Sequence, residues 1–108
     1  MADVFYDNAL KRIEGIHSLS KEFNRMVHVP HQERLLELMR NHVDEITQLT
    51  AQGDPHGLIE TGDLLVLCLE LLLEGGADIE RVTEQCFGRY EKKLNKLICD
   101  AKQGMVTE

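Results

Sequence analysis

Apolar residues recur at three- and four-residue spacings along most of this chain, and turn-forming residues interrupt them at intervals. Phe5, Leu10, Ile13, Ile16, Leu19 and Phe23 form one helical stripe and predict a first helix over about Asp3 to Phe23. Asn24–Pro30 then reads as a connector, because Pro30 lacks a backbone donor and biases Val29 away from the α region. Leu35, Met39, Val43, Ile46 and Leu49 predict a second helix from about His31 to Gln52, ended by Gly53 in the left-handed cap conformation. Asp54–Pro55 suits the start of a third helix, since aspartate caps free amides and proline is tolerated at the first helical position. That helix extends to Glu74, where Gly75–Gly76 stops it. Asp78 caps a fourth, from about Ile79 to Lys102, whose stripe is Ile79, Val82, Cys86, Tyr90, Leu94 and Leu97. The tail Gly104–Glu108 reads as frayed.

Strand signals are nearly absent, so the expectation is an all-α fold, a four-helix bundle-like single domain over residues 1–108. The second half of the third helix, Leu64–Leu73, is apolar on nearly every side except at Glu70. A helix of that kind is covered from several directions, which points to homo-oligomerisation, as a dimer or tetramer, completing the bundle. The run is about half of the roughly 20 residues a membrane span requires, and the start of the chain lacks the basic and apolar regions of a leader peptide. No membrane partner and a cytoplasmic location are therefore expected.

With 43% hydrophobic against 29% charged residues, the composition is that of a globular chain rather than a disordered one. The formal net charge of −7 argues against a nucleic-acid partner, because phosphate-backbone contacts depend on Lys and Arg. Cys68, Cys86 and Cys99 have no CxxC spacing and read as reduced thiols. There is no glycine loop of the GxxxxGK type, and Ser18 and Ser20 lie on a helix without a nucleophile elbow.

Two acidic features stand out. Glu60 and Asp63, in Glu60-Thr-Gly-Asp63, share one helix face at i, i+3. Asp44, Glu45 and Gln48 lie on the second helix, and the short Gly53–Asp54 connection sets the two helices antiparallel, so Glu45 is expected to face Glu60 and Asp63. Clustered carboxylates suit Mg²⁺, which takes oxygen ligands together with water and substrate phosphates. Glu70 is an acid inside the apolar run, read either as paired at a subunit interface or as lying at the edge of a nucleotide pocket. His28 and His31 flank Val29–Pro30 at a spacing that could hold a metal, though exposed histidines are the commoner outcome.

The stretch Asp44–Tyr90 resembles the core of the MazG-like nucleotide pyrophosphohydrolases and the related phosphoribosyl-ATP pyrophosphohydrolases. The likeness lies in the Gly53–Asp54 turn, the ExxD of Glu60–Asp63, the apolar run that follows, and the capped helix start Gly76-Ala-Asp-Ile-Glu-Arg-Val. The resemblance implies an oligomeric helical protein that hydrolyses nucleoside triphosphates to monophosphate and pyrophosphate with Mg²⁺. It implies Glu45, Gln48, Glu60 and Asp63 as the metal group, with Glu45 and Glu60 catalytic. It also implies a basic residue at Arg89; Lys92, Lys93 and Lys96 on the same helix read either as contacts to nucleotide phosphates or as a solvated helix end. The family's first acidic motif, ExxE, is departed from. Led by Glu45, its second position is Gln48; aligned by the Gly53–Asp54 turn, Glu45 becomes the second position and His42 stands at the first. Either way one carboxylate is absent, and the same bundle with a decayed site would be a nucleotide-binding or assembly module instead.

Overall fold

A computed structural model describes residues 2–107, with side chains over 7–104. The regular elements among them are all α-helices: α1 (Ala2–Met26), α2 (His31–Ala51), α3 (His56–Glu74) and α4 (Ile79–Thr107). The chain is all-α. Its last helix runs past Lys102, so the tail expected to fray from Gly104 is helical as far as Thr107, and Glu108 lies outside the described residues. A lone exposed glycine weakens a helix by about 1 kcal/mol without ending it.

The breaks between helices follow from local chemistry. At the end of α1 the amides of His28 and Val29 bond back to the carbonyls of Arg25 (3.2 Å) and Asn24 (2.9 Å). At the end of α2 Gly53 and Asp54 do the same to Thr50 (3.1 Å) and Leu49 (2.9 Å). These paired bonds need a left-handed residue just past the helix, supplied by His28 (φ 60°) and Gly53 (φ 69°). Pro55 already has helical dihedrals (−64°, −15°), which makes Asp54 the capping residue, and its Oδ1 accepts from the amide of His56 at 2.9 Å. Asp78 Oδ1 likewise accepts from Arg81 at the start of α4, at 3.1 Å.

The chain divides into two compact units, Met1–Gly76 with α1–α3 and Ala77–Glu108 with α4. In the first, α2 and α3 form an antiparallel hairpin. The end of α2 meets the start of α3, where a Cβ at Gly57 would stand 3.4 Å from Leu49 Cβ, and His31 at the start of α2 meets Glu74 at the end of α3. Helix α1 lies parallel to α3, with Ile16 beside Val66 and Leu67 and Lys21 beside Glu74. The second unit is α4 itself, with a Lys96–Asp100 ion pair at 2.8 Å and Phe87, Tyr90, Leu94, Leu97 and Ile98 exposed. No helix among the described residues is long and apolar enough to cross a membrane.

The inward faces of α1 and α2 differ from the expected stripes. On α1, Leu10 and Ile13 are half-buried, Leu19 and Phe23 are exposed, and His17, Ser20 and Asn24 turn inward instead. Phe5, also of that stripe, lies outside the described side chains. On α2 Leu35, Met39, Ile46 and Leu49 point inward as expected, but Val43 is exposed and His42 is half-buried. The reason lies on α3. It carries Glu60, Glu70 and Glu74 on its packed side, and a carboxylate removed from water must be met by hydrogen-bond donors or cations. Polar residues on α1 and α2 meet that demand, and the apolar residues beside them turn to solvent.

Candidate functional site

Asp63 and Glu60 stand on the same side of α3, one turn apart, and His42 reaches them from α2. His42 Nε2 lies 3.3 Å from Glu60 Oε2 and 3.9 Å from Asp63 Oδ2. His56, one turn before Glu60, puts its Nε2 3.4 Å from the other carboxylate oxygen, Oε1. The ligating atoms of His42, Glu60 and Asp63 lie within 4.8 Å of one another, close enough to share one ion. Glu60 and His42 are largely shielded, Asp63 is open to solvent, and a shallow pocket beside them is floored by Ile16, Val66 and Leu67.

The hydrogen bond on the far side of the His42 ring sharpens the chemistry. His42 Nδ1 stands 2.8 Å from the carbonyl oxygen of Leu38, one turn back on α2. A carbonyl only accepts, so Nδ1 carries the proton. In a neutral ring Nε2 is then a lone pair, aimed at the carboxylates. Two acceptors face each other at 3.3 Å only when a proton or a cation stands between them. Metal-bound histidines commonly have this arrangement, one nitrogen on the ion and the other N–H on a backbone carbonyl.

Glu60 and Asp63 fit Mg²⁺ in its usual mode, with one or two carboxylates and the remaining positions left to water and substrate phosphates. His42 extends the donor set toward ions that accept imidazole.

Of the residues expected at this site, the structure brings Glu60 and Asp63 together and adds His42, the residue that stands first in the turn-based alignment. Glu45 is exposed on α2 and is not among the groups within 4.8 Å, and Asp44 and Gln48 are exposed as well. Arg89 and Lys93 share a surface groove on α4 with Cys86, Tyr90, Lys92 and Lys96. Glu70 is engaged within its own unit. It is buried between α3 and α1, where Ser20 donates its hydroxyl to Oε1 and His17 Nδ1 stands 3.8 Å away. His31 pairs with His17 and Glu74 rather than with His28, which is exposed at the α1 cap. That second group was legible only as a minor feature of α1, where His17, Ser20 and Asn24 recur at three- and four-residue spacings beside the apolar stripe.

No family model, curated protein or solved structure matches this chain in the comparisons made.

Proposed function

We propose that this chain is a Mg²⁺-dependent nucleoside triphosphate pyrophosphohydrolase that works as a homodimer or homotetramer. One observation carries the reading: Glu60 and Asp63 converge with His42 Nε2 in a geometry that calls for a positive charge between them. Glu60 and Asp63 would hold the ion, and Leu38 fixes the tautomer of His42 beside it. When bound, Mg²⁺ would offset the charge gathering on the departing pyrophosphate. The reaction adds water across the α–β phosphoanhydride, so that one P–O bond forms as the bridging P–O bond breaks. We assign Glu45, exposed one turn beyond His42 on α2, to taking up the proton that water gives off. Arg89 and Lys93 lie on α4, in the second unit, and carry positive charge of the kind phosphates attract. The exposed Leu19, Phe23 and Met26 of α1 and Leu58, Ile59 and Leu65 of α3 support oligomerisation, because apolar groups this numerous gain by being covered.

A second reading draws on a different observation. Glu45 lies apart from the grouped ligands, which leaves two carboxylates where the resemblance implies more. On that ground the bundle would bind a nucleotide without turning it over. Pyrophosphate release from a panel of nucleoside triphosphates separates the two. Turnover that requires Mg²⁺ and falls at least a hundredfold in both Glu60→Gln and Asp63→Asn upholds the enzyme. Mg²⁺-dependent nucleotide binding with no release from any member of the panel upholds the binding module.

A further inference from the structure

A second histidine–carboxylate group joins all three helices of the first unit at the end opposite the α2–α3 turn. Glu74, the last residue of α3, puts Oε2 3.2 Å from His17 Nε2 on α1 and 3.6 Å from His31 Nε2 at the first position of α2. Three polar atoms in this group, Glu74 Oε2, His31 Nε2 and His17 Nδ1, are buried without a hydrogen-bond partner among the described residues. Buried polar atoms are nearly always paired, and two of these, Glu74 Oε2 and His31 Nε2, face each other at 3.6 Å and need an explanation. We propose that His17, His31 and Glu74 form a structural site for a divalent first-row transition ion, with Zn²⁺ as its representative, that clamps α1 onto the α2–α3 hairpin.

The donor set selects the ion. Two imidazole nitrogens and one carboxylate suit Zn²⁺ and its neighbours better than Mg²⁺ or Ca²⁺, which prefer oxygen. The spacing agrees. Donors bound at about 2.0–2.2 Å in a tetrahedron stand roughly 3.4 Å apart, and the two separations here, 3.2 and 3.6 Å, lie on either side of that value. The rings of His17 and His31 meet edge to face at 62°, with centroids 5.2 Å apart, so they do not stack over the space between them.

The surroundings supply the outer partners such a site requires. Asn24, 5% exposed, holds its side-chain amide nitrogen Nδ2 2.9 Å from His31 Nδ1. Turned with its oxygen toward the ring, that amide accepts from Nδ1–H and leaves the Nε2 lone pair for the ion. Glu70, anchored by Ser20, stands 3.8 Å from His17 Nδ1, beyond hydrogen-bond length, and lends that ring a neighbouring negative charge. Lys21 Nζ lies 3.5 Å from Glu74 Oε2, but its side chain is half-exposed and free to swing into solvent when a cation takes its place. His31 also lines a surface groove with Ser18, Lys21 and Val29, which gives an ion a route in. The clamp has work to do at this end. Leu35 and Leu67 are the buried apolar side chains of the described part of this unit, and α1 touches the hairpin far less than α2 and α3 touch each other.

The test uses the full chain stripped of metal by a chelator. Zn²⁺ affinity is measured by competition with a chromophoric chelator and Tm by circular dichroism, with and without one equivalent of Zn²⁺. The expected result is stoichiometric binding with a rise in Tm. Affinity should fall at least tenfold in His17→Gln and in His31→Gln, by roughly 10–100-fold in Asn24→Ala, and stay unchanged in His28→Gln, which belongs to neither histidine–carboxylate group. X-ray absorption of the Zn²⁺-loaded His42→Gln chain covers the case where the other variants fold poorly; two imidazole ligands, one carboxylate and no sulfur are expected. Binding at full affinity in both His17→Gln and His31→Gln, a thiolate or all-oxygen shell, or no uptake at micromolar Zn²⁺ would overturn the site.

Discussion

Glu70 is 3% exposed within the apolar run of α3, and its environment explains why a charge is tolerated there. The Ser20 hydroxyl donates to it from α1, and His17 stands beyond. Hydrogen bonds to charged groups contribute about 1.5–3 kcal/mol, and a buried acceptor left bare loses its hydration with nothing in return. Ser20→Ala should therefore lower the unfolding free energy by about 1–3 kcal/mol in urea titration, whereas Ser20→Ala combined with Glu70→Leu should recover much of the loss, because both polar partners go together. A double variant less stable than Ser20→Ala alone would mean that the carboxylate matters for more than its own satisfaction. His42 offers a second prediction at this scale. His42→Glu sets a third carboxylate beside Glu60 and Asp63, adding repulsion without metal and oxygen ligands with it. The variant should melt below the parent in chelator and gain more Tm from Mg²⁺ than the parent does. Equal Mg²⁺ responses in the two proteins would remove His42 from the metal group.

At the scale of the element, α1 and α2 end alike, with the same paired amide-to-carbonyl bonds around one left-handed residue. On α2 that residue is Gly53; on α1 it is His28. A side chain in this conformation costs roughly 1–2 kcal/mol, of which glycine gives back 0.5–1 kcal/mol through its greater freedom in the unfolded chain. His28→Gly should thus stabilise the protein by about 0.5–1 kcal/mol, visible as a higher urea midpoint at unchanged slope. His28 is exposed and belongs to neither metal group, so Zn²⁺ uptake should be retained. A loss of stability in His28→Gly would show that the imidazole makes a contribution its backbone strain conceals. The contrast also shows how much a local pattern reveals. Gly53 announces its cap because glycine is the residue that adopts this conformation cheaply, while α1 uses a residue with no such signature. Its end was expected at Phe23 and falls at Met26.

Over the whole molecule, the all-α class was legible because Pro30, Gly53–Pro55 and Gly75–Gly76 interrupt runs of helical period, and those are the points where the chain turns. The pairing of Glu60 with Asp63 was legible for a similar reason, since i, i+3 residues share a face on any helix. Which face turns inward was not. Periodicity gives an apolar stripe, but α1 buries the polar line His17–Ser20–Asn24 beside it, because Glu70 and Glu74 on a separate helix must be answered. That is a tertiary demand, which periodicity alone does not rank above the apolar stripe, and both His17 and Glu74 were missed through it. The displaced apolar residues carry the last prediction. Leu19 at 72% exposure, Phe23 at 59% and Met26 at 64% run along one side of α1 at three- and four-residue spacings. Burying such side chains contributes about 1.5–3 kcal/mol each, so a second copy of the chain covering this stripe would be held by several of them at once. The proposed oligomer should then appear in light scattering as a mass of two or four times 12.3 kDa. Leu19→Glu with Phe23→Glu should reduce it to the monomer without loss of helix, since neither side chain contributes to the interior of its own unit. A monomeric parent at tens of micromolar would leave the stripe without a second copy to cover it and remove the oligomer from the proposed function; an oligomer untouched by both charges would move the interface to the exposed apolar residues of α3 or α4.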